Sequence, residues 1–129
     1  MIPEIKRVMK KGSKILITCP FVWNEHEVPA DYARYTQFAL KYLLEKNGFS
    51  VLSLDKSGDF TMSLYQMKMV YVSQHFIPAI AILGKSKFFR TSIAPVIYFI
   101  MNSWFTFKHW LLPKRKDWYL NNIVLAQKN

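Results

Sequence analysis

Residues 14–22 read KILITCPFV, and Ile15, Leu16 and Ile17 are consecutive apolar residues. Successive side chains of an extended strand point to opposite sides, so this run places apolar groups on both faces. Such a strand suits a sheet with a layer on each side. Pro20 marks its end, because proline cannot donate to a ladder. A chain of 129 residues supports one domain with a modest core. Two covering layers are a heavy demand on it.

The flanking sequence supplies some of the cover. Ile5, Val8 and Met9 have helical spacing, the Lys10–Lys11 pair suits a helix C-terminus, and Gly12 punctuates. Thr36 is a good N-cap for a helix through TQFALKYLLEKNGF, whose Phe38, Leu40, Leu43 and Leu44 form an apolar stripe. Gly48 fits the left-handed position after that helix, with Phe49 as the accompanying apolar contact. FSVLSLDKSG then reads as a strand into a turn, and Ile123–Ala126 as a final strand. Strand, helix and strand in succession predict an α/β layer with a partly parallel sheet. Three strands cannot bury a doubly apolar strand, so the chain reads as part of a larger sheet.

Residues 60–112 differ in character. They are rich in Met, Phe, Tyr, Trp and Ile, and two stretches, Met69–Gly84 and Thr91–Phe107, contain no Lys, Arg, Asp or Glu. Pro78 and Pro95 interrupt them, and each falls short of the roughly 20 residues of a spanning helix. The net charge of +10 is uneven: residues 1–50 carry eight basic and five acidic residues, residues 51–129 ten and three. A basic surface favours anionic partners, and a basic, apolar one favours lipid. Three readings stay open: a helical cap, a dimer interface, or a membrane-interface element. In the last, Trp104, Trp110 and Trp118 sit at headgroup depth and Lys85, Lys87, Arg90, Lys108, Lys114, Arg115 and Lys116 lie near anionic lipid.

The segment PFVWNEHEVPADYARYT, residues 20–36, concentrates polar and aromatic chemistry at the exit of the first strand. His26, Glu27 and Asp31 suit an acid/base cluster. The plainer alternative is a loop that folds on itself, with Asp31 paired to Arg34, and Tyr32 and Tyr35 packed over the sheet. One His with scattered carboxylates is a poor metal signature, so no metal is expected. Cys19 reads as a small strand residue; alone it forms no internal disulfide.

The stretch EIKRVMKKGSKILITCPFVWNEHEVPADYARYTQFALKYLLEKNGFSV resembles the C-terminal half of a class I S-adenosylmethionine-dependent methyltransferase. The likeness covers residues 4–54. It rests on RVMKKGS, where the subgroup has an RVLKPGG-like turn, on the apolar strand ending in proline, and on His26-Glu27-x-Pro29-x-Asp31-Tyr32-x-Arg34-Tyr35-Thr36. Lys11 and Ser13 depart from the turn's usual Pro and second Gly. The resemblance implies a partial Rossmann-like sheet, its last three strands, with a helical apolar insertion. Residues 1–59 would form the C-terminal part of the core, 60–116 the insertion, and 117–129 the final strand. It also implies that the loop faces the methyl-acceptor pocket, with His26, Glu27 and Asp31 as catalytic candidates and Tyr32, Arg34 and Tyr35 as substrate-binding ones.

S-adenosylmethionine is the cofactor that the resemblance implies, yet the family's E/D-x-G-x-G turn is missing. The four glycines are Gly12, Gly48, Gly58 and Gly84, with no G-x-G and no candidate ribose-binding acid. The chain is therefore expected to be inactive alone, as a truncated product or a half that complements another chain. The rival expectation is a non-catalytic basic, aromatic module binding anionic membrane or nucleic acid. Nucleic acid is the weaker partner, since the aromatics lie in long apolar runs rather than among the Lys and Arg residues. The N-terminus lacks the unbroken apolar core of a signal peptide, so a cytoplasmic location is expected, peripheral to the membrane if the insertion binds lipid.

Overall fold

The computed structural model describes residues 1–83 and 87–129. It divides into two compact units: Met1–Asp59 with Lys116–Asn129, and Phe60–Arg115.

The first unit is mixed α/β. In chain order it holds α1 (Ile2–Val8), β1 (Lys14–Pro20), α2 (Gln37–Lys46), β2 (Phe49–Ser57) and β3 (Asn121–Lys128). Local chemistry explains the ends of α2. The Thr36 side chain accepts the Ala39 N–H at 3.2 Å, satisfying one of the helix's free donors. Beyond the other end, Gly48 takes φ +78°, a region that a Cβ disfavours.

The sheet order is β1-β3-β2, and β3 is antiparallel to both neighbours. The expected parallel pairing is corrected here. β1 and β2 do run in the same direction around α2, but β3 lies between them, so no adjacent pair is parallel. Ile17 stands opposite Val124, and Leu54 opposite Val124 on the other side. β3 is the central strand, and it is longer than its apolar run Ile123–Ala126 suggests.

The core lies on one side of this sheet. Leu40, Leu44, Phe49, Val124 and Ala126 are buried together, with Ile2, Ile5, Ile15, Ile17 and Cys19 against them. Burial alternates along β1: Ile15, Ile17 and Cys19 are half-buried, whereas Lys14, Leu16 and Thr18 are exposed. Leu16 is 65% exposed. The expectation that β1 is covered on both faces is thus corrected. The helices that pack on the sheet cover one face, and the face carrying Leu16 is left open.

The second unit is helical: α3 (Phe60–Tyr71), a π-helical turn at Val72–Phe76, α4 (Ile77–Leu83), a second π-helical turn at Phe89–Ile93, and α5 (Ala94–Leu111). Pro78 and Pro95 each lie at the second position of an α-helix that continues directly from a π-helical turn, so the helical run changes its bonding pattern just before each proline. Its buried apolar centre is small: Val72, Ile77 and Ala94, with Ile97, Tyr98 and Met101 against them. The Tyr65 ring stacks on Phe105 at 3.9 Å, and its hydroxyl donates to Asn102 Oδ1 at 2.8 Å. No helix among the described residues is long and apolar enough to cross a membrane. Lys85, one of the basic residues named above, lies outside the described residues, as does the Arg90 side chain.

Candidate functional site

The loop that leaves β1 begins on a firm base. Phe21 N–H donates to the Leu120 carbonyl at 2.7 Å, and the Phe21 ring stacks on Tyr119 at 4.4 Å. The Tyr119 hydroxyl donates to Asn122 Oδ1 at 2.9 Å, and Asn122 Nδ2 donates to the Tyr35 carbonyl at 2.7 Å. Both ends of the loop are therefore tied to the start of β3. Asn122 is fully buried, so these bonds satisfy groups that water cannot reach.

Between those anchors the loop is knit by charge. Arg34 meets both oxygens of Asp31: Nη1 pairs with Oδ1, and Nη2 donates to Oδ2 at 2.7 Å. The His26 backbone N–H donates to the same Oδ2 at 3.0 Å. Arg34 Nη2 also donates to the Asn24 carbonyl at 2.9 Å. These bonds hold the Asp31 carboxyl well below the usual carboxylate range, with the Arg34 bonds the larger cause and the His26 N–H the next. The same pairing raises the Arg34 pKa.

The hydrogens can be counted at His26. Its Nδ1 lies 3.2 Å from Arg34 Nη2 and 3.2 Å from the Asn24 carbonyl oxygen. The two hydrogens of Nη2 are already directed to Asp31 and Asn24 at shorter distances. We therefore assign the Nδ1 proton to the bond with Asn24, which leaves the neutral ring's lone pair on Nε2. No described hydrogen bond occupies Nε2. Asp31 Oδ2 lies 3.5 Å from Nδ1, so the Nδ1 edge of the ring faces the Asp31–Arg34 pair.

A concavity of about 220 Å³ opens beside this network, lined by Trp23, Glu25, Asp31, Tyr32, Ala33 and Arg34. The candidates thus separate. Asp31, Tyr32 and Arg34 line the hollow, while His26 touches the network behind it. Glu27 is exposed in the turn, at φ +57°, and its carbonyl accepts the Ala30 N–H at 2.8 Å. Tyr35 packs against the hydrophobic core rather than into the hollow. Asp31, ionised and engaged through both oxygens, is built to position Arg34 and His26 rather than to take a proton. Cys19 is half-buried, and burial pushes its thiol pKa up, so it is poorly suited to act as a nucleophile.

Sequence reasoning missed Asn122, Trp23 and Glu25. Asn122 had one available signal: a polar residue in register with Val124 and Ala126 on a strand's buried face needs a partner. Trp23 and Glu25 had none beyond their place in the loop.

No group of three or more His, Cys, Asp or Glu residues among the described residues is arranged to hold a metal. Gly12, Gly48 and Gly58 all have positive φ, and each sits in a turn at the border of a strand or helix. None belongs to a G-x-G turn, so the residues present do not fit a site for S-adenosylmethionine. Comparison with protein families, with curated proteins and with solved structures found no match.

Proposed function

We propose that this chain is the acceptor-side portion of an S-adenosylmethionine-dependent methyltransferase and that another polypeptide segment holds the cofactor. One observation carries the reading: Asp31, Tyr32 and Arg34 of the family-like segment line one hollow in the loop that leaves β1. There Asp31 and Arg34 fix His26 with Nε2 unengaged. Ligands of open α/β sheets bind beyond the carboxyl ends of strands, and β1 and β2 end on the same side, with Pro20 and Ser57 both opposite Asn121. The open face around Leu16 supports the companion segment, since a further layer would bury it.

Within that reading each side chain has a task. His26, beside the hollow rather than in its wall, takes the proton of an O–H or N–H acceptor from Nε2 through one bridging water as the acceptor is methylated. Arg34 lines the acceptor hollow and holds the His26 ring in place. Asp31 positions both. Trp23 and Tyr32 give the hollow aromatic walls that suit a flat or ring-shaped acceptor. Methyl transfer needs little more from this side than alignment and a base.

The test has two parts. Calorimetry on the isolated chain should show no measurable S-adenosylmethionine binding; micromolar binding would overturn the division of labour. When the chain is combined with a companion segment that restores methyl transfer, His26→Ala should lower turnover by about 10²-fold or more, with unchanged cofactor affinity. Unchanged turnover would remove His26 as the base.

A further inference from the structure

α5 is apolar on two sides, and only one of them is packed. Ala94, Ile97, Tyr98 and Met101 belong to the unit's buried cluster. Ile100, Trp104, Phe107 and Leu111 follow one another at steps of four, three and four, which puts them on a single helix face. All four are exposed, and Phe99 and Trp110 flank them at 72% and 78% exposure. A contiguous apolar stripe of this length, with Trp104 and Phe107 at its centre, is unusual on a free surface.

Charge points to what covers it. From Phe60 to Arg115 there is no Asp or Glu, whereas seven residues are Lys or Arg. Lys108 borders the stripe, with its Nζ 4.9 Å from the centre of the Trp104 ring. Lys114 and Arg115 follow within four residues of the helix end. We propose that the outward face of α5 is a membrane-interface surface that seats the unit on an anionic bilayer. Trp and Phe rings enter the headgroup–acyl boundary there, and the Lys and Arg residues meet lipid phosphates. A second copy fits less well, because it would bring two acid-free basic surfaces together without compensation. The proposal stands on the second unit alone and does not depend on the methyltransferase reading.

Flotation of the full chain with phosphatidylcholine vesicles, with and without phosphatidylglycerol, tests it. Binding should be strong only to the anionic vesicles and should weaken in high salt. Each basic residue near an anionic surface contributes about fivefold in affinity, so Lys108→Gln with Lys114→Gln should lower it about 25-fold. This pair leaves the apolar stripe intact, so the test survives even if stripe variants misfold. The triple change Phe99→Ser, Trp104→Ser and Phe107→Ser should abolish binding while helical circular dichroism is retained. Equal or negligible binding to both vesicle types would overturn the proposal. So would a dimer in sedimentation that the triple change dissolves, or binding to nucleic acid in place of vesicles.

Discussion

Asn122 Nδ2 donates to the Tyr35 carbonyl oxygen at 2.7 Å, across 87 residues of sequence. One fully buried amide on the central strand thereby fixes the end of the site loop. Its Oδ1 meanwhile accepts the Tyr119 hydroxyl at 2.9 Å. Asn122→Ala would leave the Tyr35 carbonyl and the Tyr119 hydroxyl without these partners. An unsatisfied buried polar group costs about 1–3 kcal/mol, so a loss of about 2–4 kcal/mol is expected in urea unfolding. A loss below about 0.5 kcal/mol would show that water replaces the amide.

Acid should loosen the loop in a defined window. The folded-state pKa of Asp31 lies below its unfolded value, so the folded state binds this proton less readily. The contribution of the Asp31 network is therefore full above the ordinary Asp value of about 3.9. It is lost as pH falls through the depressed folded value. The Asp31 side-chain carboxyl carbon reports this directly. In nuclear magnetic resonance its shift should show no titration step at the ordinary Asp value of about 3.9 and should move only below it. A midpoint at the ordinary value would show that Arg34 does not grip the carboxylate in solution.

The turn after α2 makes a local prediction. Gly48 has φ +78°, and an added Cβ would meet only the far end of the Lys6 side chain, which can swing away. The backbone, not the collision, sets the cost. Gly48→Ala should destabilise by about 1–2 kcal/mol, the penalty for a left-handed residue with a side chain. Thermal unfolding of this variant beside Lys6→Ala separates the two causes. If the double variant recovers the loss, the collision was responsible.

These cases show why some of the structure was legible and some was not. Thr36 and Gly48 announce the limits of α2 because caps are settled by chemistry within a few residues. β1 reads as apolar on both faces, and that only the face of Ile15, Ile17 and Cys19 would be covered was not legible, since burial depends on elements far along the chain. The central place of β3 was hidden for the same reason: Asn121, Asn122 and Gln127 look like tail residues until their partners on β1 and β2 are known. Within the loop, the Asp31–Arg34 pair could be read from its spacing. The lone pair on His26 could not, because it follows from counting hydrogens on Arg34.

The open sheet face yields the most decisive contrast. Leu16 and Ile17 are neighbours of similar size and hydrophobicity, yet Ile17 packs into the core while Leu16 is 65% exposed. In the isolated chain Leu16→Ala should change stability by no more than about 0.5 kcal/mol, as for other surface sites. Ile17→Ala should cost about 1–3 kcal/mol, toward the lower part of the range for buried aliphatic residues because Ile17 is only half-buried. A companion segment that completes the sheet would bury Leu16 and reverse its insensitivity. Leu16→Ala should then weaken association with that segment by about tenfold or more, given about 1.5–3 kcal/mol for burying a leucine. Titration of the two variants against the companion distinguishes the cases. A large loss of stability from Leu16→Ala in the isolated chain would mean that the chain covers this face itself and that the sheet needs no further layer.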